Sequence, residues 1–125
     1  MELKGKAVLL KIFTGESDRV GGKVLYEALV EEARKKGLAG ATVYRGIMSF
    51  GASHSIHTLK IFALSGDLPI VIEIVDEEET IRNFLPEVSR LIDQSGKGGL
   101  VFLENVEVVR YIPGAKYRKK PEQEP

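Results

Sequence analysis

Cysteine is absent from all 125 residues, which removes disulfides, thiolate nucleophiles and thiolate metal ligands together, without by itself naming a compartment. An excess of either charge is absent too. Lys and Arg number 18 and Asp and Glu 18, so no net field recruits nucleic acid or an anionic membrane surface. No apolar run approaches the length of a membrane span, so membrane insertion is not expected. The opening MELKGKAVLLKIF places a charge inside its apolar run and lacks a small-residue cleavage signal, so it does not read as a secretory leader. A cytoplasmic chain is the expectation. Signatures of catalysis are missing as well: there is no P-loop spacing, no strand-to-helix nucleophile turn and no Asp placed to orient a histidine beside Ser49, Ser53 or Ser55. The chain is therefore expected not to be an enzyme.

What is present is alternation of two periodicities. Residues 6–13, KAVLLKIF, read as a strand that stops at a polar TGESD turn. From Gly22 onward Val24, Leu25, Ala28, Leu29 and Ala33 recur at helical spacing, and Gly37 closes the helix after a basic run. Residues 41–47 return to β character, and a third strand begins near Thr58 or at Leu68. The acidic run from Asp76 to Glu79 suits the start of a second helix, with Asp76 as its cap and Ile81, Phe84, Leu85, Val88, Leu91 and Ile92 as its buried stripe. Pro86 inside that stripe should kink or divide the helix. A last strand runs from Leu100 to Tyr111. This order, βαββαβ, predicts an α+β, ferredoxin-like fold: an antiparallel four-stranded sheet with two helices on one face. One domain over residues 1–112 is expected, followed by a polar, mobile tail at 113–125. Ala7, Leu9, Phe13, Val71 and Val75 make the second face of the sheet apolar as well, and a homo-oligomer is expected to cover it.

Residues able to bind something collect in the turns. The loop at 46–58 gathers Ser49, His54, Ser55 and His57 among small residues, after Tyr44 and Arg45. The run SGKGG, containing Gly96, Lys97, Gly98 and Gly99, is either a helix-stopping turn or a cradle of bare amides with a point charge for phosphate. Arg45 and Arg110 are phosphate candidates by charge and fork geometry. His54 and His57 form an H-x-x-H pair that could bind zinc or copper, but no carboxylate in the loop offers further ligands, and no metal is expected.

GLAGATVYRG, FGASHSIH and SGKGGLVFLENVEVVR together resemble the PII-like signalling superfamily, in particular a branch carrying an RGI-x-x-FGA loop. The resemblance covers about residues 6–110. It implies a homotrimer of ferredoxin-like subunits that binds an adenine nucleotide in clefts between neighbours. It places Gly40, Ala41 and Thr42 near the adenine, Ser49, Phe50 and Gly51 at the base of a recognition loop, and Gly96, Lys97, Gly98, Gly99 and Arg110 on the phosphates. The same loop, with Gly46, Met48, His54 and His57, would face an unknown protein partner. Its tip has no tyrosine, so tyrosine modification is not implied. Ala52, Ser53 and His54 stand where groups around 2-oxoglutarate and Mg-ATP would be, so AMP or ADP is favoured over ATP. An alternative is a metal-binding trimer similar to the copper-tolerance proteins, which share the topology.

Overall fold

The computed structural model describes residues 3–50, 57–58 and 68–117. Its frame is a four-stranded antiparallel sheet built from β1 (Gly5–Gly15), β4 (Thr42–Arg45), β7 (Pro69–Asp76) and β8 (Leu100–Val108), in the order β4-β7-β1-β8. The helices are α1 (Leu25–Lys35) and α2 (Glu78–Ser95). The expected βαββαβ architecture is therefore present. β1 takes a central place because it is apolar on both sides. Leu10 and Ile12 stand opposite Ile74 and Ile72 of β7, and with Val8 and Ile70 they bury against Leu25, Leu29, Ile81, Phe84 and Val88 of the helices.

Two small ribbons interrupt this frame. β2 (Arg19–Val20) and β3 (Lys23–Val24) form a hairpin ahead of α1, so the helix starts at Leu25, not at Gly22 as its periodicity suggested. The Asp18 carbonyl accepts the Leu25 amide at 2.8 Å, closing the excursion and capping the helix from a distance. At the other end of α1, Leu38 N–H reaches the Ala33 carbonyl and Gly37 N–H the Arg34 carbonyl, a Schellman closure that turns the chain toward β4. The second ribbon pairs β5 (Met48–Ser49) with β6 (His57–Thr58) at the base of the long loop.

Several sequence expectations need correction. The third strand of the main sheet begins at Pro69; Thr58 belongs to the loop ribbon. β8 ends at Val108, short of Tyr111. Pro86 does not divide α2, which runs unbroken through it: the amide a proline lacks there costs one bond, and the stripe of Ile81, Phe84, Val88 and Leu91 holds both halves against the sheet. Asp76 is not the helix cap. It closes β7, Glu77 is the cap residue, and the Asp76 carboxylate is used elsewhere. Among the described residues no helix is long and apolar enough to cross a membrane.

The second face of the sheet is only partly apolar: Glu104 on the edge strand β8 stands beside Leu9, and a polar row crosses the sheet. Lys11 Nζ lies 3.3 Å from Glu73 Oε2, and Tyr44 donates its hydroxyl to the same oxygen at 2.8 Å. Phe13 and Phe102 stack beside this row with centroids 5.8 Å apart, and the Lys11 ammonium sits 5.9 Å from each ring. The Glu73 carboxylate holds the Lys11 ammonium and the Tyr44 phenol above their ordinary ranges, because each is hydrogen-bonded to it.

Candidate functional site

A cleft of about 460 Å³ opens where the start of β4 meets the end of β8. Ala39, Gly40, Ala41 and Thr42 form one wall, Val108, Arg110 and Tyr111 the other, and Glu73 and Val75 the floor, with Leu3 at the rim. The first wall is fixed by groups remote in sequence. Ala39 N–H donates to Asp76 Oδ2 at 2.8 Å, while the other oxygen of this carboxylate takes the Glu77 amide at 2.7 Å. The Ala39 carbonyl accepts the Tyr111 hydroxyl. Four of the residues expected to bind a ligand, Gly40, Ala41, Thr42 and Arg110, thus meet around one cavity. It offers exposed backbone amides, a hydroxyl, a carboxylate and a guanidinium beside the apolar Val75 and Val108, a mixture suited to a small ligand that is part ring and part anion.

The remaining candidates lie at the opposite end of the sheet. Gly15, Pro69, Leu100 and Arg45 are neighbours there through the strand register, and the turn at Gly96 to Gly99 leads into β8 at that end. β8 alone separates the two ends by about 26 Å, at roughly 3.3 Å per residue, so Lys97 and Arg110 of one chain cannot hold the same phosphate group.

Within this second group, roles divide. Gly96 stops α2 in the left-handed region at φ 70°, and its N–H returns to the Asp93 carbonyl. Gly99 passes so close to β1 that an added Cβ would stand 3.1 Å from the Phe13 carbonyl oxygen. Both glycines therefore have structural reasons. Lys97 and Gly98 have none of this kind: Lys97 is exposed, and a side chain on Gly98 would meet nothing within 4 Å. Arg45 is already engaged, its guanidinium 2.5 Å from Glu16 Oε2.

Gly46 opens the loop under a steric constraint. Its N–H bonds the Pro69 carbonyl at 2.8 Å, and a Cβ would fall 2.8 Å from Pro69 Cγ. Gly46→Ala is expected to force the loop base away from β7 at a cost of about 1–3 kcal/mol. Urea denaturation at fixed protein concentration checks this, and an unchanged midpoint would contradict it. Beyond Gly46, Ile47, Met48 and Phe50 present apolar side chains that are 65–71% exposed, and Ser49 pairs through its backbone with His57. Gly51 and His54 fall outside the described residues, as does the side chain of His57.

The family model described as an uncharacterized ACR, DUF190, matches residues 7–108. The chain belongs to this family. Among DUF190 relatives, a UPF0166 protein of Aquifex aeolicus is 46% identical over 105 residues, spanning 83% of this chain and 94% of that protein. A UPF0166 protein of Methanocaldococcus jannaschii is 38% identical over 91 residues, spanning 73% and 83%. Among solved structures, the DUF190 chain is similar to CPII, a nitrogen regulatory PII-like protein from Thiomonas intermedia bound to ADP, AMP and bicarbonate. The TM-score is 0.65 at 18% identity, with 84% of this chain and 90% of that one covered. The likeness at this identity is one of fold, and it agrees with the PII-like resemblance in the sequence.

Sequence reasoning did not single out Glu73, Tyr111 or the anchoring use of Asp76 in this DUF190 chain. Glu73 was visible as the lone charge inside PIVIEIV, a place where a strand otherwise buried on both faces tolerates an ion only beside a partner. Nothing local marked Tyr111, whose hydroxyl finds its acceptor 72 residues away.

Proposed function

We propose that this protein is a non-enzymatic regulatory module that binds an adenine nucleotide, AMP or ADP in preference to ATP, in clefts between the copies of a homotrimer. The observation that carries the reading is the division of the candidate residues. Gly40, Ala41, Thr42 and Arg110 surround a cleft at one end of the sheet, while at the other stand Lys97, whose side chain is exposed and whose N–H is bonded to Ser95 Oγ, and Gly98, with open space where a Cβ would be. A cleft of one copy set against the glycine turn of the next would supply both a pocket for the base and ribose and a cationic cradle for phosphate. The second face of the sheet suits such packing across the Lys11–Glu73–Tyr44 row, which is internally paired before burial, with Glu104 left at the margin on the edge strand β8.

In this reading no bond is made or broken. The ribbon of β5 and β6, with Met48, His57 and the adjoining residues through His54, presents the loop to a protein partner in the cytoplasm. A nucleotide shifts the loop's ensemble only as far as it binds one loop arrangement better than the others. Residues 1–112 act as the binding module and 113–125 as its polar tail.

Titration calorimetry with AMP, ADP and ATP, combined with the mass of the oligomer in solution, tests this. The expected result is one site per chain in a trimer, with AMP or ADP at least as tight as ATP. No heat with any of the three, or a folded monomer, would remove the proposal.

A further inference from the structure

Three segments far apart in sequence converge on one residue of the cleft wall. Ala39 has its N–H held by Asp76, from the end of β7, and its carbonyl held by the Tyr111 hydroxyl, from the segment after β8. Tyr111 is itself tied at its carbonyl by the Leu3 amide at 3.2 Å, from the segment just before β1. The two holds on Ala39 differ in kind. Asp76 is 1% exposed and locked at the sheet's end, whereas Tyr111 is 41% exposed on a segment with no ladder bonds of its own.

We infer that Tyr111 is a positioning residue for the cleft: its hydroxyl, donated to the Ala39 carbonyl, sets the wall at Ala39 to Thr42 in the arrangement that receives a nucleotide. This rests on the nucleotide reading. Arg110 and Tyr111 line the same cleft as that wall, so a ligand that touches Arg110 and the wall binds best where the Tyr111–Ala39 pairing has set their separation.

The test compares the unsubstituted protein with Tyr111→Phe, which removes only the hydroxyl and keeps an exposed ring. In ligand-free protein, amide exchange at Ala39, whose N–H is bonded to Asp76, is expected to speed up by about threefold to tenfold, the scale of one neutral hydrogen bond, while Leu10 and Ile72 in the central strands stay unchanged. ADP affinity is expected to fall by about the same factor with the thermal midpoint held. A uniform rise in exchange across the sheet would mark a merely structural role and overturn the inference. Unchanged exchange at the wall, or unchanged ADP affinity, would overturn it as well. If the unsubstituted protein binds no ADP, the nucleotide reading itself falls, and the exchange comparison alone then decides whether Tyr111 positions the wall.

Discussion

Asp76→Ala is expected to lower the stability of the folded chain by about 3 kcal/mol, which for one buried side chain is a large fraction of a domain's margin. Asp76 is 1% exposed and accepts two backbone amides, those of Ala39 and Glu77. Hydrogen bonds to a charged acceptor contribute about 1.5–3 kcal/mol each, and alanine leaves both donors without that acceptor. The full sum is not expected, because Ala39 is half-buried and Glu77 exposed, so water can reach part of what is vacated. Asp76→Asn keeps one accepting oxygen and should lose about half as much. Urea denaturation measures both, at a single protein concentration because assembly makes apparent stability concentration-dependent. A loss below about 1 kcal/mol for the alanine variant would show that the carboxylate is not the anchor of the α1–β4 connection.

Separate Lys97→Ala and Arg110→Ala variants are each expected to bind ADP about 10- to 100-fold more weakly, the cost of one charge-assisted phosphate contact. The sharper expectation concerns their mixture. If Lys97 of one copy and Arg110 of its neighbour serve the same site, unfolding the two variants together and refolding them should restore tight binding. In a ring of three copies containing both variants, the interface between an Arg110→Ala copy giving Lys97 and a Lys97→Ala copy giving Arg110 is intact. One site in three then regains the unsubstituted affinity, while the others remain weakened. Binding that stays weak in the mixture, with mixed trimers shown by mass, would mean that the two side chains do not act across an interface. The distance along β8 already forbids their acting together within one chain.

Much of the frame could be read from pattern alone. Val8, Leu10 and Ile12 alternate with a second apolar set, which announced a strand apolar on both faces, and the helical spacing of Ile81, Phe84, Val88 and Leu91 announced α2. Gly37 and Gly96 stop helices where their sequence contexts said they would. Expectations failed where a local rule met a tertiary partner. Asp76 was read as a cap because acidic residues suit a helix start, yet its oxygens serve a loop that arrives from Ala39. Pro86 was expected to kink or divide the helix, yet α2 runs unbroken through it because the packed stripe around it outweighs one missing bond.

The amino-acid order by itself determined the layers, the strand directions and the residue types that line the turns, because burial periodicity and turn chemistry act over a few neighbouring positions. Only the tertiary structure decided that Gly40 and Thr42 share a cleft with Arg110, that Lys97 stands at the far end of the sheet, and that Ala39 hangs between Asp76 and Tyr111. Those facts depend on the register of strands separated by dozens of residues. The register is fixed by the joint packing of both helices on one face, which no short window of the chain contains.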